Sequence, residues 1–339
     1  MPHKNFYKFK ARDNYELGLL MGTQFKKETE TALKIAKENL EDFKLKTSRA
    51  NKFLEFNQRY FPEYIEELSG YAKGANVDFF DIFALSLEDE VDQDYPHSAN
   101  KQTNEKCTTL ITNNGKLFAH NEDWDKGSEE KISIVEKIVG DLSVFELFYT
   151  NTLGGNSVSI NSNGFIIGIN SMVSNDVVTG VSKNFIARWL SETKNPDSDI
   201  LKLKSIPRAQ GHNTNIIDKN GNMWNIEYTS HNIISSKPES PFCHSNHYLS
   251  DLKRFEANTN ENGTFDRYHT AVTKIRPQMT TEEAMTLMND QSYGEKKSIM
   301  NERTIAKIIV DVENKLAKIW LLREDELGFV DYDLSNYFS

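Results

Sequence analysis

The sequence predicts an α+β fold, and three observations carry that expectation. Residues 17–91 have helical periodicity, residues 92–106 form a polar stretch that interrupts it, and after Cys107 short β-rich runs alternate with turns and helices. Strands bracketed by helices in this way fit two packed sheets covered on both sides. Pattern alone reaches no further than α+β.

In the first segment Leu33, Ala36, Leu40 and Phe43 recur at helical spacing, Pro62 suits the opening of one helix and Asp78 the cap of the next. Residues 92–106 place Pro96 among Ser, Asn, Gln and Thr with almost no apolar side chains, the composition of an exposed connector. Strands follow at 108–112 and 117–121, joined by Asn113, Asn114 and Gly115, residue types that tolerate positive φ. This hairpin holds Cys107 at the head of one strand and Asp123 just past the end of the other, which draws a thiol and a carboxylate together. Further strands are expected at 132–139, 143–150, 158–161, 165–171, 213–217 and 223–229, the last two flanking Asn220-Gly221. Helical periodicity returns at 182–192 and 266–275, Thr280 with Glu283 makes a capping box for a helix reaching Met288, and 305–312 with 316–322 form a closing hairpin.

With 339 residues the chain can bury a large core, and we expect one domain built from two segments, 1–106 and 107–339. A formal charge of −10 argues against nucleic-acid and anionic-membrane partners, which need clustered Lys and Arg. The lysines of residues 34–46 are interleaved with acids and read as solvated helix faces. Two cysteines, Cys107 and Cys243, do not make a disulfide scaffold, and a reducing compartment is the default. The first residues lack the apolar core of a signal peptide and no run approaches a membrane span, so cytoplasmic residence is expected. The Asn262-Gly263-Thr264 sequon reads as a chance match.

The run KCTTLITNNGKLFAHNEDWD resembles the start of the catalytic subunit in the peptidase family of isopenicillin N acyltransferase and carcinine (β-alanyl-amine) hydrolases, which belong to the N-terminal-nucleophile (Ntn) hydrolases. The likeness continues through VSINSNGFIIGINSM at 158–172, residues 211–227, HSNH at 244–247 and Arg303 in ERTIAKIIVD. Upstream, residues 15–22, 62–75 and 78–91 look like the family's propeptide pattern, a helical segment ending in an acidic stretch before the cysteine. The resemblance implies a four-layer αββα sandwich with a helical N-terminal segment. It also implies a self-processing cysteine hydrolase or acyltransferase of linear amides.

An ordinary thiol is mostly protonated near neutral pH, so a nucleophilic Cys107 needs a base. In Ntn enzymes that base is the nucleophile's own α-amino group, with an unperturbed pKa of roughly 7.7 to 8.0. An amide nitrogen cannot serve, so Cys107 would be latent until the Lys106-Cys107 bond is cut by an N-to-S acyl shift and hydrolysis. Residues 1–106 carry apolar helical faces that are costly to expose, so the two fragments are expected to remain a heterodimer.

The resemblance implies further roles. Asn246 in HSNH matches the oxyanion-hole asparagine, and Asp123 matches the acid that orients the freed amine, with Asn121 in support. Arg267 in TFDRYH falls where the family often has Ser-x-x-Arg, with Thr264 in place of the serine, and suits an ion pair or a substrate carboxylate. Trp124 and Asn170 are pocket candidates. Lys106 stands where family members commonly have glycine, and its bulk would slow the strained turn that the acyl shift needs. The implied substrates are a small N-acyl amine, a peptide-like amide or an acyl-coenzyme A, with hydrolysis the default outcome and neither cofactor nor metal required. Rival readings are a Cys107 pair with His120, His212 or His244 that needs no cleavage, and a noncatalytic binding protein that keeps the fold. Zinc at Cys243, His244 and His247 lacks a second ligand pair, and Cys243 reads as a buried structural residue.

Overall fold

A computed structural model describes residues 2–92, 107–125, 127–257 and 263–339. Its strands are β1 (Phe6–Ala11), β2 (Thr108–Thr112), β3 (Leu117–Asp123), β4 (Ile132–Val139), β5 (Leu142–Tyr149), β6 (Val158–Asn161), β7 (Phe165–Ser171), β8 (His212–Asp218), β9 (Met223–Tyr228), β10 (Ile233–Ser236), β11 (Phe242–His244), β12 (Thr304–Asp311), β13 (Leu316–Leu321) and β14 (Val330–Asp333). They form an eight-stranded sheet in the order β1-β4-β5-β6-β7-β8-β9-β10 and a six-stranded sheet in the order β11-β2-β3-β12-β13-β14. The α-helices are α1 (Asn14–Gln24), α2 (Lys26–Ala36), α3 (Leu40–Tyr60), α4 (Pro62–Ala75), α5 (Phe79–Ser86), α6 (Lys183–Leu190), α7 (Pro196–Ser205), α8 (Thr264–Lys274) and α9 (Thr281–Met288).

Strand parity explains the layers. Successive side chains point to opposite faces, and here both faces of each sheet are covered, so the strands read as nearly continuous buried runs. Ile111, Phe118 and Ile308 of the smaller sheet meet Ile134, Leu147 and Ile217 of the larger one in a core between the sheets. The neighbouring positions Val135, Phe148 and Ile216 turn outward against Leu17, Phe25, Tyr64 and Phe185 of the helices. On the other side Leu110, Leu117 and Ile309 pack against Ala271, Leu287 and Met288 of α8 and α9. The layers therefore run helix, sheet, sheet, helix, the αββα sandwich that was expected.

The segment before Cys107 supplies more than helices. Its FYKFKA run buries Phe9 and Ala11 while Lys8 and Lys10 face water, and β1 pairs in parallel with β4, Phe6 opposite Ile134. Helices α1 and α4 touch backbone to backbone: a Cβ at Gly18 would lie 1.8 Å from the Glu67 carbonyl oxygen, and one at Gly70 would lie 2.0 Å from that of Tyr15. Arg188 of α6 reaches back to Glu67 at 3.0 Å. Thus one helical layer is shared by residues on both sides of Cys107.

The Thr280 and Glu283 capping box forms as expected, each side chain accepting the other's backbone N–H. Sequence reading did not anticipate β1, α7, β10, β11 and β14. Among the described residues no helix is long and apolar enough to cross a membrane.

Candidate active site

The β2–β3 hairpin builds the site. Its turn places Asn113, Asn114 and Gly115 at φ of 56°, 53° and 77°, the left-handed region these residues tolerate. The register opposes Thr108 to Asn121 and Thr109 to His120. One step further, Cys107 comes opposite Glu122, and both side chains point between the sheets. Thr108, Asn121 and Asp123 point the other way, toward α8 and α9.

The buried Cys107 sulfur lies 3.7 Å from Glu122 Oε1. Tyr149 donates its hydroxyl to the same oxygen at 2.9 Å, Ser157 donates to Oε2, and His120 Nε2 is 3.1 Å from Oε2. A carboxylate that only accepts suits four such partners. His120 Nδ1 is 2.9 Å from Thr109 Oγ1, and that hydroxyl gives its hydrogen to Asn170 Oδ1 at 2.8 Å. Thr109 therefore accepts from Nδ1–H, and both imidazole nitrogens are engaged without the thiol.

Asn170 sits behind His120, where its oxygen also accepts from Asn215 at 3.1 Å. The sulfur, imidazole nitrogen and carboxylate oxygen of Cys107, His120 and Glu122 lie within 4.8 Å of one another, which is the spacing of possible metal ligands among the described residues. Their direct hydrogen bonds give the cluster a coherent organisation with the protein's own groups.

The outer face carries the residues drawn from the resemblance. Asp123 accepts from Asn301 Nδ2 at 2.7 Å, and burial pushes its carboxyl up to about 6 against the opposing pull of Arg267, Thr304 and Asn301. Asn121 donates to the carbonyls of Met288 at 2.9 Å and Ile299 at 3.0 Å, which fastens β3 to the end of α9. Fully buried Arg267 donates through Nε to Thr108 Oγ1 at 3.2 Å and through Nη2 to Asn246 Oδ1 at 2.7 Å. Asn246 in turn gives one N–H to the Ser171 carbonyl at 3.0 Å, and its backbone N–H reaches Thr264 Oγ1 at 2.9 Å. Thr264 also contacts Ser245 Oγ at 2.9 Å and His247 Nδ1 at 3.0 Å, so a threonine hydroxyl organises the HSNH turn where the family pattern has serine.

The other polar candidates separate by parity. On β11, Cys243 opposes Leu110 in the outer apolar layer, where burial pushes its thiol up to about 12. Its neighbour His244 faces inward and meets Glu227 Oε1 at 2.8 Å. Burial works against that carboxylate's charge, but bonds from His244, Ser250 and Leu249 hold Glu227 down to about 2. His244 is thereby committed to Glu227.

Cys107 and Glu122 border a small cleft of about 10 Å³, with Trp124, Glu88, Lys183 and His212 around it. That is room for about one water. Trp124 packs on Tyr149 at 5.5 Å between ring centres. Lys183, though buried, approaches Glu88 at 3.4 Å, while burial and then the Lys183 charge hold His212 well below the usual histidine range. Lys106 and Asn262 lie outside the described residues.

Sequence reasoning missed Glu122 as the thiol's partner, along with Tyr149, Ser157 and Lys183. The signal for Glu122 was present, because a turn that closes Thr112 on Leu117 sets Cys107 opposite residue 122. Tyr149, Ser157 and Lys183 come from distant elements and carry no local motif.

Residues 86–325 match the family described as acyl-coenzyme A:6-aminopenicillanic acid acyl-transferase. A β-alanyl-dopamine/carcinine hydrolase from Drosophila melanogaster is 31% identical over 161 residues, covering 42% of this chain and 41% of that protein. The match therefore spans less than half the length of that curated relative. Among solved structures, penicillin V acylase from Agrobacterium tumefaciens aligns over 64% of this chain and 83% of its own, at 11% identity and a TM-score of 0.40. A mutant of conjugated bile acid hydrolase from Clostridium perfringens aligns over 68% of this chain and 92% of its own, at 11% identity and a TM-score of 0.45. With about 70% of its length (240 of 339 residues) matched by one family, this chain belongs to the acyl-coenzyme A:6-aminopenicillanic acid acyl-transferase family.

Proposed function

We propose that the protein is a self-processing cysteine hydrolase of linear amides that works through a Cys107 acyl-enzyme. The observation that carries this reading is the position of Cys107. It heads an inner-face strand with its sulfur 3.7 Å from Glu122, beside a helical layer that residues from both sides of it build together. In processing, the sulfur attacks the Lys106 carbonyl, the C–N bond breaks as the C–S bond forms, and the nitrogen takes up the thiol's proton. Water then cleaves the thioester, leaving a Lys106 carboxylate and the free α-amine of Cys107.

In turnover that amine is the base, Asn246 donates to the oxyanion, and Arg267 positions Asn246 by holding its oxygen. Asp123, with Asn121 beside it on the outer face of β3, sets the electrostatics around the amine. Glu122 orients the thiol. Trp124 borders the thiol cleft, and Asn170 fixes the Thr109–His120 pair behind it. The parallel pairing of β1 with β4 and the shared helical layer support two fragments that stay associated as a heterodimer within one domain. Hydrolysis is the default because water is always present, while transfer to an amine, or from an acyl-coenzyme A, needs an acceptor held against it. Two cysteines make no disulfide scaffold, and we read the setting as reducing and cytoplasmic.

The test is to mix the protein with N-acyl amides of a chromogenic arylamine, quench in acid and weigh the fragments. An acyl adduct on the fragment beginning at Cys107, absent from Cys107→Ala, is expected. Turnover that persists in Cys107→Ala would contradict the reading.

One observation favours a second reading. His212 lines the same cleft, burial holds its imidazole well below the usual histidine range, and among the described residues Nδ1 has no hydrogen-bond partner. A Cys107–His212 pair would act in an uncleaved chain and would lose activity in His212→Asn, whereas the amine mechanism needs cleavage first.

A further inference from the structure

The thiol cleft is too small for a substrate, but a larger groove adjoins it. Trp124 and Glu88 border both this cleft and a neighbouring groove of about 240 Å³. The groove's walls include Ala32, Ile35 and Ala36 of α2, Leu85 of α5, and Trp124 with Tyr149. Ala32 and Ile35 also line a second, outer chamber of about 480 Å³ that reaches Lys27 and Arg323. Together these spaces have the size of a small-molecule site.

The α2 face makes the chemistry of the occupant specific. Thr29 and Leu33 turn inward and are buried. Glu28, Ala32 and Ile35, at helical spacing, present a narrow face with a charged residue at the outer end and apolar ones nearer Trp124. Ile35 is 58% exposed, an uncovered branched side chain on a helix otherwise rich in Lys and Glu. From Glu28 to Ile35 the helix rises about 10 Å. A slot of this length shares Trp124 and Glu88 with the thiol cleft, sets Ala32, Ile35, Ala36 and Leu85 opposite a more polar wall that includes Lys131, Thr150 and Asn151, and fits a linear hydrocarbon chain attached to the scissile amide.

We propose that this groove is the subsite for the apolar tail of the substrate, a linear chain of several methylenes, and that α2 of the N-terminal segment forms its wall. This rests on Cys107 as the nucleophile. The occupant is an alkyl chain borne by the amide, on its acyl or its amine side. The segment preceding Cys107 is then a specificity element of the working enzyme.

Two substrate series test the proposal: acetyl, butanoyl and octanoyl amides of one arylamine, and acetyl amides of ethyl-, butyl- and octylamine. Full burial is worth about fourfold per methylene. The long member of at least one series should exceed the short one in kcat/KM by a factor on the order of 10², allowing for incomplete burial of the chain. Ala32→Trp should cut that ratio by about tenfold or more, because an indole fills the slot, and Ile35→Asp should also lower it.

Calorimetric binding of the same amides to Cys107→Ala provides a readout without turnover. There the long chain should bind tighter than the short one, and Ala32→Trp in that background should abolish the difference. Turnover with no chain-length dependence in either series would overturn the groove and leave the catalytic reading standing. Chain-length-dependent binding without turnover of any amide would sustain the groove and remove the catalytic reading. Neither chain-dependent binding nor turnover would overturn both.

Discussion

Arg267 Nη2 donates to Asn246 Oδ1 at 2.7 Å from a guanidinium with no exposed surface. This bond fixes which edge of the Asn246 amide is free to donate. Its oxygen accepts from Arg267, so donation rests with its nitrogen, one N–H of which goes to the Ser171 carbonyl. Asn246→Ala should lower kcat by about 10²- to 10³-fold if the amide donates to the oxyanion. Arg267→Lys, which retains charge but loses the planar fork, should lower kcat by about tenfold or more with a smaller change in KM. Steady-state kinetics beside thermal melts check both. An unchanged kcat in Asn246→Ala would return that residue to a structural role.

Glu122→Gln separates orientation from reactivity. It removes a negative charge 3.7 Å from the Cys107 sulfur, and a nearby like charge disfavours the thiolate. Alkylation of Cys107 by iodoacetamide near neutral pH should therefore speed up, while amide turnover should fall by about tenfold or more as the thiol loses its fixed partner. Slower alkylation would show that Glu122 assists ionisation instead.

Asp123 gives a pH signature. In the folded chain burial raises its carboxyl to about 6, from an unfolded value of 3.8. Between those values the native state binds more protons, so this group's contribution to stability falls as pH rises and its full penalty remains above about pH 6. Asp123→Asn removes the dependence. The stability difference, mutant minus wild type, should rise between pH 4 and pH 7 by on the order of 2 kcal/mol. Urea titrations at each pH measure it, and a flat difference would mean that Asp123 titrates in its ordinary range.

Cys243 should be inert. Its thiol is buried in the outer apolar layer and pushed up to about 12. Peptide mapping after brief alkylation of the native protein should find modification at Cys107 alone, and Cys243→Ala should keep turnover within about twofold. Loss of turnover in that variant would give Cys243 a role that its position does not suggest.

Much of the fold was legible because period and turn chemistry agreed. Residues 158–161 and 165–171 are strands at the expected bounds, and the left-handed Asn113-Asn114-Gly115 turn closes the hairpin as its residue types require. Three-residue β11 is too short to show a period, and β1 is an edge strand whose partner lies more than a hundred residues away. In the site, Cys107 and the Arg267–Asn246 pair were nameable from motifs, although their contact was not. The thiol's own acid was missed for a local reason: Asp123 and Glu122 are adjacent, and only strand parity decides that Glu122 faces the thiol while Asp123 faces α8 and α9. Trp124 reached the cleft border, whereas Asn170 was placed behind His120 by the packing of β7 on β2.

The central claim is that Cys107 becomes an N-terminal nucleophile. Denaturing intact-mass analysis of freshly expressed wild type beside Cys107→Ala, with N-terminal sequencing of any fragments, tests it most directly. Two wild-type fragments that copurify and separate only on denaturation, one beginning at Cys107, are expected, together with a mutant that stays whole. An intact wild type that turns over amides would contradict the claim and move the Cys107–His212 pair ahead.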